Sequence, residues 1–445
     1  DLEQIQVIGF DGVMTAAAGD YAGQDRYACR EAVLAALEAA GLLAATEDHQ
    51  HAVPHHDKCG TVIEPLPMEQ WFMNMKPLAK KTIPILEQGL VDYVPDRFRG
   101  FAIDWLEEIR DWALSRQIWW GHRIPAWYCV SCSETGLIPL GGMERAAALA
   151  QGSFRVSLED GAKPIVSRDR PAACPDCGAG GLVQDPDVLD TWFSSALWPF
   201  ATLGWPEKTE ELAYFHTTDL MITGRDILYL WVLRMIMTAI EFVDEIPFTT
   251  VLVHPTVMTR DGRRMSKSLG TGLNPLDLVE MYGADATRYG LLHQAGSSQD
   301  LRFDAEIADN KVQSSVTAET GRNFCNKIWN ATRFALMNLD DFEPGEIGID
   351  PDPAARWIRS RLARTIADVN AALAEYRLAD VTRHLYDFLW RDFCDWYLEV
   401  AKVRLGGEDS EQRLHTQSSL VEVLDAALKL LHPVMPYVTE ALWQN

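Results

Sequence analysis

The chain has 445 residues, 64 of them acidic and 40 basic, which gives a formal net charge of −24. A hydrophobic fraction of 47% and 15 tryptophans exclude a disordered chain and predict a folded protein of roughly two to four domains. No apolar run is long enough to span a membrane and no signal peptide opens the chain, so we expect a cytoplasmic protein. We also expect a monomer. The acidic balance argues against a module that coats nucleic acid, but not against a large enzyme that meets RNA through local basic patches.

Residues 1–65 begin with a strand-like run at 5–10 and continue with a helix at 26–40 that ends at Gly41. A histidine-rich stretch follows at 49–59. A metal site that uses His56 and Cys59 is one interpretation of this stretch. Because no second ligand pair is in view, we favour a polar loop.

The block at residues 115–125 reads Ser-Arg-Gln-Ile-Trp-Trp-Gly-His-Arg-Ile-Pro and follows a helix that is predicted from Pro77 onward. Such an aromatic block has two interpretations, a buried helix end or a wall of an active site. We expect Trp119 to be buried and the block to shape a site without taking part in chemistry.

Four of the eight cysteines form two Cys-x-x-Cys pairs, Cys129 with Cys132 and Cys174 with Cys177. Two such pairs supply four thiolates, the ligand set of a tetrahedral structural zinc ribbon. With all four ligands from the protein, no coordination position remains open for catalysis. We therefore expect a zinc ion that stabilises the fold.

Residues 186–304 alternate strand and helix signals. A block at 190–199 contains Trp192, a second block at 223–235 contains Gly224, Asp226 and Ile227, and an apolar strand at 248–254 ends at His254. The order predicts strand, turn, helix and strand, which is typical of half of a doubly wound nucleotide-binding sheet.

A basic pentapeptide, Arg264-Met265-Ser266-Lys267-Ser268, follows this strand. Asp261-Gly262 before it suits a tight turn, and Asn274-Pro275 after it suits the start of a helix that ends at Gly283. The pentapeptide is either a solvated basic turn or a loop that closes over a polyphosphate and neutralises charge on a leaving phosphate.

From about residue 312 the pattern becomes amphipathic helix, predicted at 322–339, 354–378, 379–403 and 418–431. On this pattern alone the segment is a helical bundle of unknown purpose. We assign five aromatic side chains of the third helix to packing, namely Phe388, Trp390, Phe393, Trp396 and Tyr397.

The pentapeptide resembles the KMSKS signature of class I aminoacyl-tRNA synthetases, with Arg264 in place of the first lysine. Together with the blocks at 115–125, 190–199 and 223–228, and with the Gly-Arg-Asn-Phe-Cys-Asn-Lys run at 321–327, it is most similar to the valyl enzymes. Isoleucyl enzymes are the nearest alternative, and their counterparts of the 190–199 and 223–228 blocks differ. A tRNA-binding or zinc-ribbon scaffold without catalysis is the alternative from another class.

The resemblance implies ATP-dependent activation of valine, transfer to tRNA(Val), and editing of mischarged tRNA by the full-length enzyme. Magnesium is implied as the partner of ATP. The implied roles are contacts to the phosphates for Lys267, with Arg264, Ser266 and Ser268; a border to the adenine for Met265; nucleotide contacts for Gly224, Asp226 and His254; and a lining of the amino-acid pocket for Trp192 and Ile227.

By the same resemblance the fold is α/β. Residues 1–65 correspond to the end of an editing domain, 66–311 to the second half of a Rossmann-like catalytic domain with a zinc-ribbon insert at about 126–185, and 312–445 to an α-helical anticodon-binding domain. The chain contains no His-x-Gly-His motif and no acidic editing motif. We therefore expect it to start after both motifs and not to aminoacylate tRNA by itself.

Overall fold

The computed structural model describes residues 5–444 except 57–58, 133–135, 140–143, 157–162, 266–270, 297–299, 309–310 and 344–351. The chain divides into two compact units. The first unit is formed by Asp1–Lys81 with Glu108–Thr202, and the second by Thr82–Glu107 with Leu203–Asn445.

The strands are short, apart from two in the second unit: β1 (Phe72–Met73), β2 (Asp92–Val94), β3 (Trp112–Ala113), β4 (Ser115–Arg116), β5 (Ala126–Cys129), β6 (Leu137–Pro139), β7 (Phe154–Val156), β8 (Ile165–Val166), β9 (Leu182–Gln184), β10 (Val188–Leu189), β11 (Thr218–Gly224), β12 (Phe248–His254), β13 (Val257–Met258), β14 (Leu301–Arg302), β15 (Glu306–Ala308) and β16 (Lys311–Ser314).

The α-helices are α1 (Arg26–Ala39), α2 (Lys76–Glu87), α3 (Arg97–Glu107), α4 (Arg145–Gln151), α5 (Thr191–Ala196), α6 (Trp198–Ala201), α7 (Glu210–Phe215), α8 (Leu233–Phe242), α9 (Pro275–Tyr282), α10 (Ala284–Gln294), α11 (Val316–Leu336), α12 (Pro353–Ala374), α13 (Leu378–Tyr386), α14 (Leu398–Leu405), α15 (Ser410–Leu431) and α16 (Pro436–Trp443). Tighter 3₁₀ turns lie at Ala16–Tyr21 and Arg225–Ile227, and wider π-helical stretches at Leu228–Val232 and Asp387–Tyr397. Within the described residues, no helix is long and apolar enough to cross a membrane.

The first unit is built from small antiparallel sheets. Strand β5 lies between β8 and β9, while β6 pairs with β7. Around these strands Tyr128, Leu137 and Phe154 form a small buried core. The helix predicted at 26–40 is confirmed as α1, and its first turn is capped by the Asp25 carboxylate, which accepts from the backbone N–H of Tyr27.

Two predictions for the first unit are wrong. Residues 5–10 do not form a strand, because the chain folds back on itself at once: the Gly9 N–H donates to the carbonyl of Val13, and only an isolated bridge pairs Ile8 with Met14. Trp119 is not buried, and both it and Trp120 are fully exposed, at 104% and 91%. They lie in an irregular bend after β4, where no helix forms.

The second unit contains a parallel sheet in the order β11-β12-β2. Strands β11 and β12 run in register from Thr218 opposite Phe248 to Gly224 opposite His254. The connection between them includes α8, most of whose side chains are buried. This arrangement confirms the predicted strand, turn, helix and strand of a doubly wound fold, and it brings the carboxyl ends of both long strands to one edge.

Helices α10 to α16 pack around one hydrophobic core in the same unit, with Phe324, Ile358, Leu385 and Leu420 fully buried. The predicted bundle is confirmed, although its helix bounds shift. Helix α15 begins eight residues before the predicted start at 418, because the Asp409 carboxylate caps a polar first turn. The short helix α16 follows α15 at the end of the bundle.

Of the five aromatic residues assigned to packing, Phe388, Phe393 and Tyr397 are buried and Trp390 is half-buried. The assignment of Trp396 is wrong, because its side chain is 68% exposed. The π-helical stretch Asp387–Tyr397 places Trp396 outside the face that meets the core.

Candidate functional site

The carboxyl edge of the parallel sheet gathers several of the predicted site residues. Gly224 ends β11 directly opposite His254, which ends β12. A side chain at position 224 would contact the His254 ring, since an added Cβ would lie 3.5 Å from Cε1. The His254 Nδ1 lies 3.0 Å from the carbonyl oxygen of Pro255, which can only accept, so Nδ1 donates this hydrogen bond.

A chain of alternating charges crosses this edge. The Asp226 carboxylate lies 3.1 Å from Nη1 of Arg264 and 3.6 Å from Nε of Arg225. Arg225 in turn reaches Asp300 at 2.9 Å, and Asp300 accepts from the backbone N–H of Thr256. Pairs this exposed contribute at most about 1 kcal/mol each, so the chain can rearrange around a ligand.

Arg225 and Asp300 were not predicted as site residues. Arg225 could have been found as the direct neighbour of Asp226 in the sequence. Asp300 lies 2.9 Å from Arg225 although the two residues are far apart in the chain, and no local pattern signals such a pairing.

The start of the basic loop is a hairpin, as predicted. Met258 bridges to Arg264 in antiparallel fashion, and Gly262 takes a φ of 83°, which favours glycine. Hydrogen bonds from Thr259 and Arg263 lower the pKa of the Asp261 carboxyl. Arg264 is exposed, whereas Met265 is half-buried and packs against the cluster around Leu278.

The remaining residues of the pentapeptide, Ser266, Lys267 and Ser268, lie outside the described residues. Their roles stay predictions. The described part of the loop nonetheless places the first cation, Arg264, beside Asp226.

A cavity of about 360 Å³ opens at the same edge. Its lining combines cationic side chains, one carboxylate and a few apolar groups: Arg97, Phe98, Arg225, His254, Met258, Asp300 and Arg302. This size suits a small ligand, and the excess of arginine favours an anionic one.

Trp192 lies in the first unit, in the first turn of α5, where Asp190 fixes the backbone. The buried Asp190 carboxylate accepts from the N–H of Trp192 at 3.0 Å and from the indole of Trp112 at 3.0 Å, and it pairs with Arg116. Ile227 is half-buried in the second unit, at the end of its 3₁₀ turn. Their role in an amino-acid pocket stays a prediction.

The four predicted zinc ligands come together in the first unit. The sulfur atoms of Cys129, Cys132, Cys174 and Cys177 all lie within 4.8 Å of one another, with 3.5 Å between Cys129 and Cys177 and 3.9 Å between Cys132 and Cys174. A tetrahedral zinc ion with Zn–S bonds of about 2.3 Å requires sulfur atoms about 3.8 Å apart. The donor set therefore fits zinc in number, type and spacing.

The clustered thiols alter one another's pKa. Burial opposes ionisation of Cys129, but hydrogen bonds from Cys132 and Cys177 lower its pKa to about 7. The pKa of Cys132 is raised by its neighbours Cys177 and Cys129. A divalent cation bound by the four sulfurs would hold them as thiolates.

Among the described residues, only the four clustered cysteines bring three or more suitable metal ligands together. The described part of the 49–59 stretch therefore forms no such group. The Cys59 thiol lies 3.3 Å from Nδ1 of His56, and its hydrogen bond with Thr61 is the main cause that lowers its pKa to about 7.

Comparisons with known proteins show which family the chain is similar to. A family model described as tRNA synthetases class I (I, L, M and V) matches residues 26–304, and one described as the anticodon-binding domain of tRNA ligase matches residues 355–445. Proteins called valine--tRNA ligase from Symbiobacterium thermophilum and Clostridium tetani are 47% and 43% identical over the whole chain. The chain spans 45% and 46% of their respective lengths.

Solved structures show the same fold at low sequence identity. Mycobacterium tuberculosis methionyl-tRNA synthetase bound by methionyl-adenylate matches 88% of this chain and 65% of its own, with a TM-score of 0.61 and 17% identity. The agnB2 LeuRS of Agrobacterium radiobacter K84, in a ternary complex with tRNA and LeuAMS, matches 78% of this chain and 43% of its own, with a TM-score of 0.53 and 23% identity. Because a class I family model covers more than half of the chain, the chain belongs to the class I tRNA synthetases of the I, L, M and V group.

Proposed function

We propose that the chain acts as part of a valine–tRNA ligase, which joins valine to ATP as valyl-adenylate and passes the valyl group to tRNA(Val). The observation that carries the proposal is the meeting of Gly224, Asp226, His254 and Arg264 at the carboxyl edge of a parallel sheet, beside a cationic cavity. Valine is supported over isoleucine by relatives at 42–47% identity along the whole chain, all called valine--tRNA ligase.

In this proposal ATP binds along the sheet edge. The Asp226 carboxylate accepts hydrogen bonds from ribose hydroxyls, and Gly224 lets the nucleotide approach the end of β11. His254 contacts the nucleotide from the end of β12. Since the side chain of Met265 is half-buried, its backbone is the part suited to border the adenine. When ATP binds, Arg264 would either release the Asp226 carboxylate or share it with the ribose hydroxyls.

The first step is an in-line displacement. An oxygen of the valine carboxylate attacks the α-phosphorus, the bond to the bridging oxygen of the β-phosphate breaks, and pyrophosphate leaves with that bond's electrons. Lys267 and Arg264 would neutralise the charge that grows on the leaving group, with Ser266 and Ser268 as hydrogen-bond donors. Magnesium would accompany the phosphates of ATP.

In the second step a hydroxyl of the terminal tRNA ribose attacks the valyl carbonyl and AMP leaves. Trp192 and Ile227 would line the valine pocket and reject larger side chains by size. Such an apolar wall discriminates poorly against smaller or isosteric amino acids, at roughly 10- to 200-fold, so editing by the full-length enzyme is part of the proposal.

Zinc would be held by Cys129, Cys132, Cys174 and Cys177 and would stabilise the β5–β9 region without taking part in the reaction. The predicted domain boundaries, cytoplasmic location and monomeric state are part of the same proposal. Size-exclusion chromatography with light scattering tests the last of these.

The proposal is tested by a chimera in which this chain replaces the matching segment of the Symbiobacterium relative. We expect valine-dependent exchange between ATP and pyrophosphate. Asp226→Ala should reduce it by about 100-fold, because the ribose contact positions the reacting phosphate. Glu306→Gln is the control, since Glu306 pairs with Arg260 of the hairpin and not with Asp226. Normal exchange by the Asp226→Ala chimera would refute the assigned role.

A further inference from the structure

A buried carboxylate lies where two segments of the first unit meet. Asp190 is 5% exposed and directly follows β10, whose Leu189 pairs with Ser115 of β4. The Asp190 N–H also donates to the carbonyl of Leu114 at 2.7 Å. The backbone therefore holds Asp190 at the point where the segment 112–116 meets the start of α5.

The two carboxylate oxygens of Asp190 have different partners. Oδ1 accepts from the N–H of Trp192 at 3.0 Å. Oδ2 accepts from the indole of Trp112 at 3.0 Å and pairs with Arg116, whose guanidinium also donates to two backbone carbonyls of the segment 112–116 at 2.9 Å. One oxygen thus holds the first turn of α5, and the other ties that turn to the segment 112–116.

The residue type at position 190 fits a link between segments better than a helix cap alone. Asparagine and aspartate cap helices about equally well, so either could make the contact of Oδ1. Only a carboxylate has a second oxygen that can accept from both an indole N–H and a guanidinium. A buried charge is costly unless it is paired and hydrogen-bonded, and Arg116 with Trp112 meets that condition here.

We propose that Asp190 is a positioning residue that sets how strictly the amino-acid pocket selects valine by size. Trp192 is half-buried and is the second residue of α5, so a shift of this first turn moves its indole directly. The ring of Phe193 lies 6.3 Å from that of Trp112, so the segment 112–116 supports the same turn by packing as well. The inference rests on the proposed function, which gives Trp192 its place in the wall of the valine pocket.

Exchange between ATP and pyrophosphate by the chimera, measured over a range of valine and isoleucine concentrations, tests the inference. Asp190→Asn leaves one oxygen in place of two, so the link to the segment 112–116 is lost while the cap can remain. The KM for valine should rise about fivefold and the ratio of kcat/KM for valine over isoleucine should fall about tenfold, since one methylene in an apolar pocket is worth roughly 10- to 200-fold. The KM for ATP should not change. A loss of folded protein alone would lower kcat for both amino acids and leave the ratio as it was.

A double-variant cycle shows whether Asp190 acts through Trp192. Trp192→Ala should itself lower the ratio of kcat/KM for valine over isoleucine, because it opens the wall of the pocket. Asp190→Asn added to Trp192→Ala should change the ratio by less than about twofold further, because the side chain that it positions is already gone. A full further effect of Asp190→Asn in the double variant would overturn the inference.

The matched control is Asp187→Asn. Asp187 is also a buried aspartate of the first unit, and its carboxylate pairs with Arg155 and accepts from Gln117 instead of from α5. This control removes a buried charge of the same kind and should keep the KM for valine and the ratio of the unaltered chimera.

A second variant covers the case in which the Asp190→Asn chimera does not fold. Trp112→Phe removes one donor and leaves the Asp190 carboxylate with Arg116 and Trp192. It should lower the valine-over-isoleucine ratio by about threefold, a smaller effect because only one hydrogen bond is lost. An unchanged ratio in the folded Trp112→Phe chimera would contradict the positioning role.

The outcomes separate the two proposals. If the unaltered chimera shows no valine-dependent exchange, the proposed function fails and this inference fails with it. If the unaltered chimera is active and the folded Asp190→Asn chimera keeps both the KM for valine and the ratio, Asp190 only stabilises the fold and the proposed function stands.

Discussion

Gly321→Ala probes the crossing of helices α10 and α11, which joins the part of the second unit that holds the parallel sheet to its helical bundle. A Cβ at position 321 would lie 2.5 Å from the carbonyl oxygen of Ala286 and 2.9 Å from its Cα. Both are backbone atoms of α10, which cannot rotate away as a side chain can. An ordinary contact is 3.4 Å or more, so the helices would have to separate by roughly 1 Å.

The separation would disturb a well-packed core, since Tyr289 and Phe324 are fully buried next to the crossing. Overpacking of this kind costs about 3 kcal/mol at the upper end of its usual range. Alanine is a better helix former than glycine by about 1 kcal/mol. We therefore expect the free energy of local opening at the crossing to fall by about 2 kcal/mol, which is a factor of about 30 in the opening equilibrium.

Hydrogen exchange of the α10 and α11 amides measures this loss locally, which matters because a chain of two units is not expected to unfold in one step. Gly100→Ala is the matched control: Gly100 lies inside α3 and an added Cβ meets nothing within 4 Å. In the control, the free energy of local opening in α3 should rise by up to about 1 kcal/mol, so exchange there should be slower. Unchanged or slower exchange at the crossing in Gly321→Ala would refute the reasoning.

Three further predictions follow from buried or clustered groups. The purified chain should contain one zinc ion by mass spectrometry of metals, and Cys174→Ser should contain almost none; a metal-free chain that keeps its fold would contradict the assignment. Asp285→Ala should lower the free energy of opening of the α16 amides by about 1–3 kcal/mol, because the buried carboxylate accepts from the N–H groups of Tyr437 and Val438. These amides should then exchange faster, and unchanged exchange there would contradict the capping role. Burial and nearby Arg383 lower the pKa of His293 below its unfolded value, so the bundle should keep its full stability above about pH 6.5 and lose some as the pH falls through the lowered folded pKa. The midpoint of urea unfolding, measured as a function of pH, checks this prediction. A His293→Gln variant whose midpoint depends on pH as strongly as that of the unaltered chain would contradict it.

Local signals in the sequence predicted much of the fold. Asn274 and Pro275 start α9 as predicted, because a cap and a first-turn proline act within a few residues. The two cysteine pairs predicted the thiol cluster because each pair supplies two of the four ligands that a structural zinc ion needs. Exposure was harder to predict: Trp119, Trp120 and Trp396 are apolar but exposed, since burial depends on which face the whole fold covers.

The candidate site shows the same limit. Asp226, His254 and Arg264 were predicted because each lies in a recognisable block. Arg225 lies in the same block as Asp226 and could have been predicted from it. Asp300 was missed because its pairing with Arg225 joins two distant segments of the chain, and only the folded structure shows it.

Charging of tRNA by the chimera that carries this chain in place of the matching segment of the Symbiobacterium relative tests the central claim most directly. The account predicts that valine, ATP and valine tRNA give valyl-tRNA, and that Lys267→Ala in the chimera reduces the rate of charging by at least about 100-fold. A folded, zinc-loaded chimera that binds valine tRNA but attaches no valine to it, or attaches isoleucine equally well, would contradict the account.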